Sequence, residues 1–163
     1  DRAVPEGTSV EKTDKVFATF REYYATHSRV KTSMYEGMEQ VMDALKEQNI
    51  SMAIVSNKAD DAVKDLAKYY FAKYIDVAIG EREGISRKPA PDSVYEAMRL
   101  LGATKENTVY VGDSDVDRAT AKNAGIPCIS VTWGFRSEEL LVSLEPEYLI
   151  HKPEEILSVV TGK

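Results

Sequence analysis

The chain has 163 residues with a formal net charge of -6 at pH 7, and 43% of its side chains are apolar. This composition is typical of one globular domain with a real core, and the acidic balance excludes nucleic acid and anionic membranes as expected partners, since both favour a basic face. The single cysteine, Cys128, excludes an intrachain disulfide, and no apolar run approaches the roughly 18 residues of a membrane span, so we expect a soluble cytoplasmic protein.

Helical periodicity marks the first part of the chain. Phe17, Phe20 and Tyr24 recur at helical spacing and predict an amphipathic helix over residues 10–24. Residues 26–37, THSRVKTSMYEG, break this pattern and indicate a hinge. A second helix is predicted over residues 37–49, where the apolar residues share one face: Met38, Val41, Met42 and Leu45.

From residue 50 onward, apolar strands alternate with helices. The predicted strands cover residues 50–57, 74–80, 107–112, 126–131 and 146–151, and the last of them is weak. The predicted helices cover residues 59–71, 91–102, 116–125 and 153–160. Strands without polar alternation, each followed by a helix, are typical of a parallel sheet that is covered on both faces. The predicted fold is therefore α/β, a Rossmann-like parallel sheet with helices on both faces.

Polar residues follow three of the predicted strands, and ligands of such sheets bind at the carboxyl ends of the strands. The three polar groups are residues 56–58, 113–117 and 132–136. The second group contains three carboxylates, those of Asp113, Asp115 and Asp117, whose like charges repel one another. This crowding predicts a positively charged partner at the end of that strand.

Three motifs carry a resemblance to a known family. They are VSNK with Ser56, SRKPAPD with Lys88, and VGDSDVDRATAKNAG with Asp113 and Asp117. In this order and spacing they resemble the haloacid dehalogenase superfamily, and most closely its phosphoglycolate phosphatase-like branch. The resemblance extends over nearly the whole chain and implies a Mg²⁺-dependent phosphatase that acts on a small phosphomonoester such as phosphoglycolate.

The resemblance also implies roles for individual residues. Ser56 would bind a phosphoryl oxygen, with Asn57 beside it in the substrate site, and Lys88 would neutralise charge during catalysis. Asp113 would ligate Mg²⁺, and Asp117 would ligate it or orient its water shell. Taken alone, Ser56 also fits a turn or a helix cap, and Lys88 also fits a solvated surface lysine.

Two charged residues near these motifs have more than one interpretation. We expect Asp115 to cap the helix that follows it, because negative charge is favoured at a helix N-terminus. Arg136, in VTWGFRSEEL, could bind a substrate carboxylate. It could equally form a surface ion pair with Glu138 or Glu139.

Two other families with clustered acids fit this chain poorly. An EF-hand loop is excluded, because its sixth position is Arg118 and its twelfth is Ala124. A receiver-like phospho-acceptor domain places its acids before its hydroxyl and lysine. Here the chain order is Ser56, Lys88, Asp113.

The sequence departs from the family pattern at its start. The family's nucleophile lies in a D-x-D-G-T motif, which does not occur in these residues. The resemblance implies that the first strand and most of a helical cap are absent, that residues 1–34 are a remnant of the cap and hinge, and that residues 35–163 form the α/β core. The absent strand is the central one in the family. The strands at about residues 50–55 and 108–112 would then pair directly, or another chain would fill the gap between them.

Two functional hypotheses follow. In the first, the chain is most of a phosphatase whose partner is a small phosphorylated metabolite, and it is an incomplete and inactive form belonging to a longer parent. The alternative is a non-catalytic binding or interaction protein that retains the fold. Unpaired strand edges also favour self-association.

Overall fold

The computed structural model describes residues 4–162, so residues 1–3 and 163 of the predicted domains lie outside the described residues. The chain divides between Ser33 and Met34 into two units. The first unit contains one helix, α1 (Val10–His27), which begins after the N-cap Ser9. The helix predicted over residues 10–24 is therefore present. Its side chains Phe17 and Phe20 are both half-exposed.

The second unit contains the remaining helices and all of the described strands. In chain order they are α2 (Met38–Glu47), β1 (Met52–Ala59), α3 (Asp60–Tyr70), β2 (Ile75–Glu81), α4 (Asp92–Leu101), β3 (Tyr110–Gly112), α5 (Asp115–Ala124), β4 (Cys128–Val131), α6 (Glu138–Ser143), β5 (Tyr148–Ile150) and α7 (Glu155–Thr161). A short 3₁₀ helix, Lys105–Asn107, precedes β3.

The described strands form two parallel sheets. Strand β1 pairs with β2, and Val55 lies opposite Ile79. Strand β4 lies between β3 and β5 in the second sheet, where Gly112 lies opposite Ser130. The predicted parallel α/β fold is confirmed. Within the described residues β1 and β3 belong to different sheets, so of the two alternatives stated for these strands, direct pairing is wrong.

Two buried clusters cover the two faces of the second sheet. Cys128 and Ile129 are both fully buried, and successive residues of a strand point to opposite faces. Cys128 packs in a cluster with residues of α4 and α5, whereas Ile129 packs with residues of α2, β5 and α7. Burial raises the pKa of the Cys128 thiol to about 11. Cys128 is therefore a core residue.

Helix α6 was not predicted, because its six residues are too short for a clear periodic pattern. Its N-cap is Ser137, whose Oγ accepts the N–H of Leu140 at 3.4 Å. Within residues 4–162 no helix is both long and apolar enough to cross a lipid bilayer.

Candidate functional site

The ammonium of Lys88 contacts one residue in each of the strands β1 and β3. Its Nζ donates to Asp117 Oδ1 at 2.7 Å, to Tyr110 Oη at 3.0 Å and to the carbonyl oxygen of Val55 at 3.4 Å. Val55 belongs to β1 and Tyr110 to β3, so one cation links the two sheets. The Lys88 side chain is only 12% exposed, which excludes the solvated surface lysine considered above.

Both oxygens of the Asp117 carboxylate accept hydrogen bonds. Oδ1 accepts from Lys88 and from Tyr110 Oη at 2.9 Å, and Oδ2 accepts from Ser114 Oγ at 2.5 Å. Burial alone would raise the pKa of Asp117, but the charge of Lys88 and these hydrogen bonds hold it below its usual value. Asp117 is therefore ionised and fixes the position of the ammonium.

Tyr110 completes this network, and sequence reasoning missed it. The residue is buried in β3, and its hydroxyl accepts from Lys88 while donating to Asp117. Burial and then the Asp117 charge raise the pKa of Tyr110 far above its usual value, so it remains a neutral donor. A tyrosine in a buried strand was the available signal, because a buried hydroxyl requires a partner.

The backbone of Lys88 is held by the side chain of Asn57. The Lys88 amide donates to Asn57 Oδ1 at 2.8 Å, and Asn57 Nδ2 donates to the Lys88 carbonyl at 3.0 Å. The next residue is also bound, since Asn123 Nδ2 donates to the carbonyl of Pro89 at 2.9 Å, and the Lys88–Pro89 peptide bond is cis. Asn57, expected to contact substrate, thus uses its amide to position Lys88.

Asp113 lies in a cradle formed by the segment after β4. Its Oδ2 accepts the backbone N–H of Phe135 at 2.6 Å. A Cβ added at Gly134 would lie 2.6 Å from Asp113 Cγ, and one at Gly112 would lie 2.7 Å from Asp117 Cγ. Only glycine fits at these two positions, and no local sequence pattern distinguishes them from other glycines.

Arg136 contacts the acidic segment of residues 113–117 rather than its own neighbours in sequence. Its Nε and Nη2 each lie 2.8 Å from Asp115 Oδ1, so the expected partners Glu138 and Glu139 are replaced by Asp115. Helix α5 is capped by Ser114, whose Oγ accepts the N–H of Asp117 at 3.2 Å. The expectation that Asp115 is the cap is therefore wrong.

Ser56 lies next to Val55 at the carboxyl end of β1. Its Oγ accepts the backbone N–H of Lys58 at 3.2 Å, as in a turn. To act as a nucleophile, Ser56 would need an adjacent base. The nearby Asp60 is directed to β2, where its Oδ1 accepts the N–H of Gly80 at 2.9 Å.

The carboxylates suit a hard cation, but the described residues supply only part of a metal site. Residues 4–162 contain no group of three or more His, Cys, Asp or Glu side chains that could hold a metal ion. The Asp113 carboxylate accepts one hydrogen bond, on Oδ2. Its Oδ1 has no hydrogen-bond donor among the described residues. Mg²⁺ prefers carboxylate oxygens and retains several waters, so Asp113 Oδ1 could serve as one ligand among several.

Comparisons with known proteins identify the family of this chain. The family model of haloacid dehalogenase-like hydrolases matches residues 3–131. Pyrophosphatase PpaX of Halalkalibacterium halodurans is 30% identical over 154 residues, which covers 94% of this chain and 72% of that protein. A candidate pyrophosphatase PpaX of Caldanaerobacter subterraneus is 32% identical and is covered over 70% of its length.

Two solved structures share the fold. A candidate phosphoglycolate phosphatase from Lactobacillus delbrueckii subsp. bulgaricus superimposes with a TM-score of 0.93 at 35% identity, over 98% of this chain and 67% of that one. A hydrolase of Streptococcus pneumoniae, SP0104, superimposes with a TM-score of 0.84 at 21% identity, over 94% of this chain and 72% of that one. With its family match, its relatives and its parallel α/β architecture, the chain belongs to the haloacid dehalogenase-like hydrolase family.

Proposed function

We propose that this chain carries part of the site of a Mg²⁺-dependent phosphatase, which hydrolyses a small phosphomonoester such as phosphoglycolate. The observation that supports this most is the Lys88 ammonium, which Asp117 fixes between β1 and β3. Phosphoryl transfer depends mainly on positioning groups and on balancing negative charge. A buried and oriented ammonium does both.

Each residue of the site has a defined role in this proposal. Lys88 attracts the phosphate dianion and neutralises charge, while Asp117 keeps its ammonium oriented. Ser56 Oγ donates a hydrogen bond to a phosphoryl oxygen. Asp113 holds Mg²⁺, which supplies further positive charge and polarises a phosphoryl oxygen when bound.

Arg136 is the proposed determinant of substrate choice. The Asp115 carboxylate orients the guanidinium of Arg136 beside residues 113–117, where the guanidinium can bind a substrate carboxylate. Phosphoglycolate has a carboxylate, whereas pyrophosphate, named for the similar PpaX proteins, does not. We expect Arg136→Gln to raise KM for phosphoglycolate and to leave KM for pyrophosphate nearly unchanged.

We further propose that residues 1–163 are inactive on their own. They contain no D-x-D-G-T motif, so the nucleophile that the family uses is not supplied in its usual form. Phosphate monoester hydrolysis is among the slowest uncatalysed reactions, with enzymatic accelerations of up to about 10²¹-fold. Charge balance and positioning alone do not reach that acceleration.

Phosphatase assays with Mg²⁺ test both parts of the proposal. Substrates are an aryl phosphate, phosphoglycolate and pyrophosphate, and the proteins are this chain and a longer protein that also contains a D-x-D-G-T segment. We expect no turnover by the chain beyond its Asp113→Ala control, and clear turnover by the longer protein.

In the longer protein, Lys88→Ala should lower kcat by roughly 100-fold or more, the usual effect of removing one charge-stabilising group. The matched control is Lys122→Ala, which removes an exposed lysine of α5. An unchanged kcat in Lys88→Ala would contradict the proposed role.

The absence of D-x-D-G-T also favours a second candidate, a non-catalytic binding protein of the same fold. This candidate predicts that the coding sequence adjoining these residues has no D-x-D-G-T segment. It also predicts that the chain binds phosphorylated ligands without turning them over.

A further inference from the structure

The side of β2 that faces away from β1 is an open strand edge. Strand β2 pairs with β1, and no other described strand pairs with it. A trough of about 450 Å³ is lined by residues 75–79 of β2 and by no residue of β1, so it lies along this outer edge. We call it the edge trough. Strand β2 contains neither proline nor lysine, the residues that commonly block pairing at an exposed edge.

The two faces of β2 meet different helices. A Cβ added at Gly80 would lie 2.5 Å from the Cα of Asp60, the first residue of α3, so the even-numbered side chains of β2 face α3. Val55 lies opposite Ile79 and packs against the cluster that contains Met98 of α4, so the odd-numbered side chains face α4. A strand added at the outer edge would continue these two faces.

Three cations lie on the α3 side of the edge trough. Lys64 and Lys68 are one turn apart on α3, and the third cation is Arg82, whose Nη1 lies 3.6 Å from Asp60 Oδ1. Among the described residues Asp76 is the only carboxylate that lines the trough. The lining therefore carries an excess of positive charge, although the chain as a whole has a net charge of -6.

Lys68 is the cation that is free to bind a partner. Lys64 Nζ lies 2.6 Å from Asp60 Oδ2, and Arg82 contacts the same carboxylate. Lys68 is exposed and forms no ion pair within residues 4–162. A carboxylate brought to this side of the trough would give Lys68 a partner of opposite charge.

The α4 side of the edge trough is apolar. Leu100 of α4 lines it and is 50% exposed. The side chains of β2 on this side are Ile75, Val77 and Ile79, which are all apolar. An added strand would therefore meet cations on one face and apolar side chains on the other.

We propose that the edge trough binds an extended segment of a partner protein in which acidic and apolar residues alternate. The segment pairs with the outer edge of β2 as an added strand, so main-chain hydrogen bonds contribute affinity and alternate side chains contribute specificity. Because successive side chains of a strand point to opposite faces, the acidic ones reach Lys68 while the apolar ones contact Leu100. This surface uses neither Lys88 nor Asp113, so its test does not depend on phosphatase activity.

A second copy of the chain fits the edge trough less well. Its own β2 would bring one carboxylate, Asp76, to the cationic side, because the other even-numbered residues of that strand are Ala78 and Gly80. Two chains that each carry a net charge of -6 also repel each other at low ionic strength. The three cations instead favour a segment with several carboxylates.

Binding can be measured with a synthetic peptide and the chain as it is. The probe is fluorescein-labelled EVEVEV, and its anisotropy is followed during titration with the protein at low salt. We expect saturable 1:1 binding that weakens as salt is added, because the charges are exposed. Hydrogen exchange should become slower at amides of β2 and should not change in β5, an edge strand of the other sheet.

Two control peptides separate strand pairing from general attraction. EEEVVV has the composition and charge of EVEVEV, but it cannot place all its acids on one face and all its valines on the other. It should bind at least roughly fivefold more weakly, since it loses several contacts of the kind that side-chain pairs make in sheets. KVKVKV keeps the alternation but reverses the charge, and we expect it not to bind the unaltered protein.

A charge reversal in the protein tests the cationic side. Lys68→Glu should weaken binding of EVEVEV roughly fivefold, because it replaces an attraction between exposed charges with a repulsion. The same variant should bind KVKVKV more tightly than the unaltered chain does. Lys122→Glu reverses an exposed lysine of α5 outside the trough and should leave both affinities unchanged. Thermal melts confirm that both variants fold.

Four results would overturn the proposal. The first is no saturable binding of EVEVEV, and the second is equal binding of EEEVVV. The third is an equal loss of affinity in Lys68→Glu and Lys122→Glu, which would reduce the interaction to net charge. The fourth is a dimer of the chain alone in which the amides of β2 are already protected, because the outer edge would then belong to a second copy.

Discussion

Lys88 and Asp117 form a nearly buried ion pair, with side chains 12% and 10% exposed. Removing one partner of such a pair leaves an uncompensated charge in a poorly hydrated place, which typically costs roughly 3–5 kcal/mol of folding free energy. Replacing both removes the two charges together. We therefore expect Lys88→Met and Asp117→Asn each to be strongly destabilising, and the double variant to lose less than the sum of the two.

Urea denaturation of the four proteins in this double-mutant cycle measures the coupling. Tyr110 remains in all four, so its hydroxyl is a constant background. If the two losses of unfolding free energy are additive, Lys88 and Asp117 do not stabilise each other. The loss in Lys88→Met would then have another cause.

The stability of the chain should fall at acid pH, in part through Asp117. Burial raises the pKa of its carboxyl, but the charge of Lys88 and the hydrogen bonds from Lys88, Ser114 and Tyr110 together lower it more, so the pKa in the folded state lies below its usual value. A depressed pKa stabilises the fold above the unfolded-state value of about 4, and this contribution is lost as the pH falls through the folded-state value. Melting temperatures measured from neutral to acid pH should therefore fall less steeply in Asp117→Asn than in the unaltered protein.

The exposed residue Asp76 provides the control for this pH series. Asp76→Asn should retain the acid dependence of the unaltered chain. Identical pH profiles for Asp117→Asn and the unaltered protein would contradict the assigned ionisation of Asp117.

The sequence pointed to the charged residues of the proposed site but not to the groups that contact them. Lys88, Asp113 and Asp117 were singled out because the motifs that contain them resemble those of a known family. Tyr110 and Gly134 were missed, because their roles depend on contacts between segments that are distant in the chain. The Tyr110 hydroxyl and the missing Cβ of Gly134 produce no pattern in the sequence. Their roles are visible only when the segments that contact them are packed together.

At the level of elements, the end of β1 and the segment around residues 86–90 are joined through Asn57. Asn57→Ala removes the acceptor of the Lys88 amide, so we expect hydrogen exchange at that amide to become faster while global stability falls by roughly 1–3 kcal/mol. Exchange measured by NMR on the unaltered protein and the variant tests this.

Asn123→Ala is the matched control, because Asn123 binds the same segment through the carbonyl of Pro89. Asn123→Ala should change the rate of hydrogen exchange at the Lys88 amide much less than Asn57→Ala does. Equal effects of the two variants would mean that the segment is held as a whole rather than at Lys88.

The strands and helices from residue 50 onward were predictable because each has its own periodicity and its own boundary residues. Helix α4, for example, begins after Pro91 and ends at Gly102, whose φ of 65° suits glycine. The register of β1 against β2 was not predictable, since it depends on packing between elements. The same holds for Arg136, whose partner Asp115 lies 21 residues away.

At the scale of the whole molecule, the chain should bind Mg²⁺ only weakly, in the roughly millimolar range, because hard cations require several assembled oxygen ligands. Among the described residues Asp113 stands without a cluster of further metal-binding side chains. Calorimetric titration should show weak binding that is lost in Asp113→Asn and retained in Asp76→Asn. Tight binding by the unaltered chain would mean that the ligand set is more complete than proposed.

The parallel α/β class was predictable from the alternation of strands and helices, whereas the division into two sheets was left open. The sequence allowed either direct pairing of β1 with β3 or a gap between them. Helices α4, α2 and α7 line both faces of the space between those strands, and their packing was not readable from local patterns.

Trp133 gives the chain an optical reporter of its own. It is the only tryptophan, it packs against the buried cluster that contains Ile129, and it directly precedes Gly134, whose backbone lies against Asp113. Its emission therefore responds both to unfolding of that cluster and to a change at the Asp113 loop. Unfolding and ligand binding can be followed at one wavelength, without attaching a dye and without altering a residue of the site.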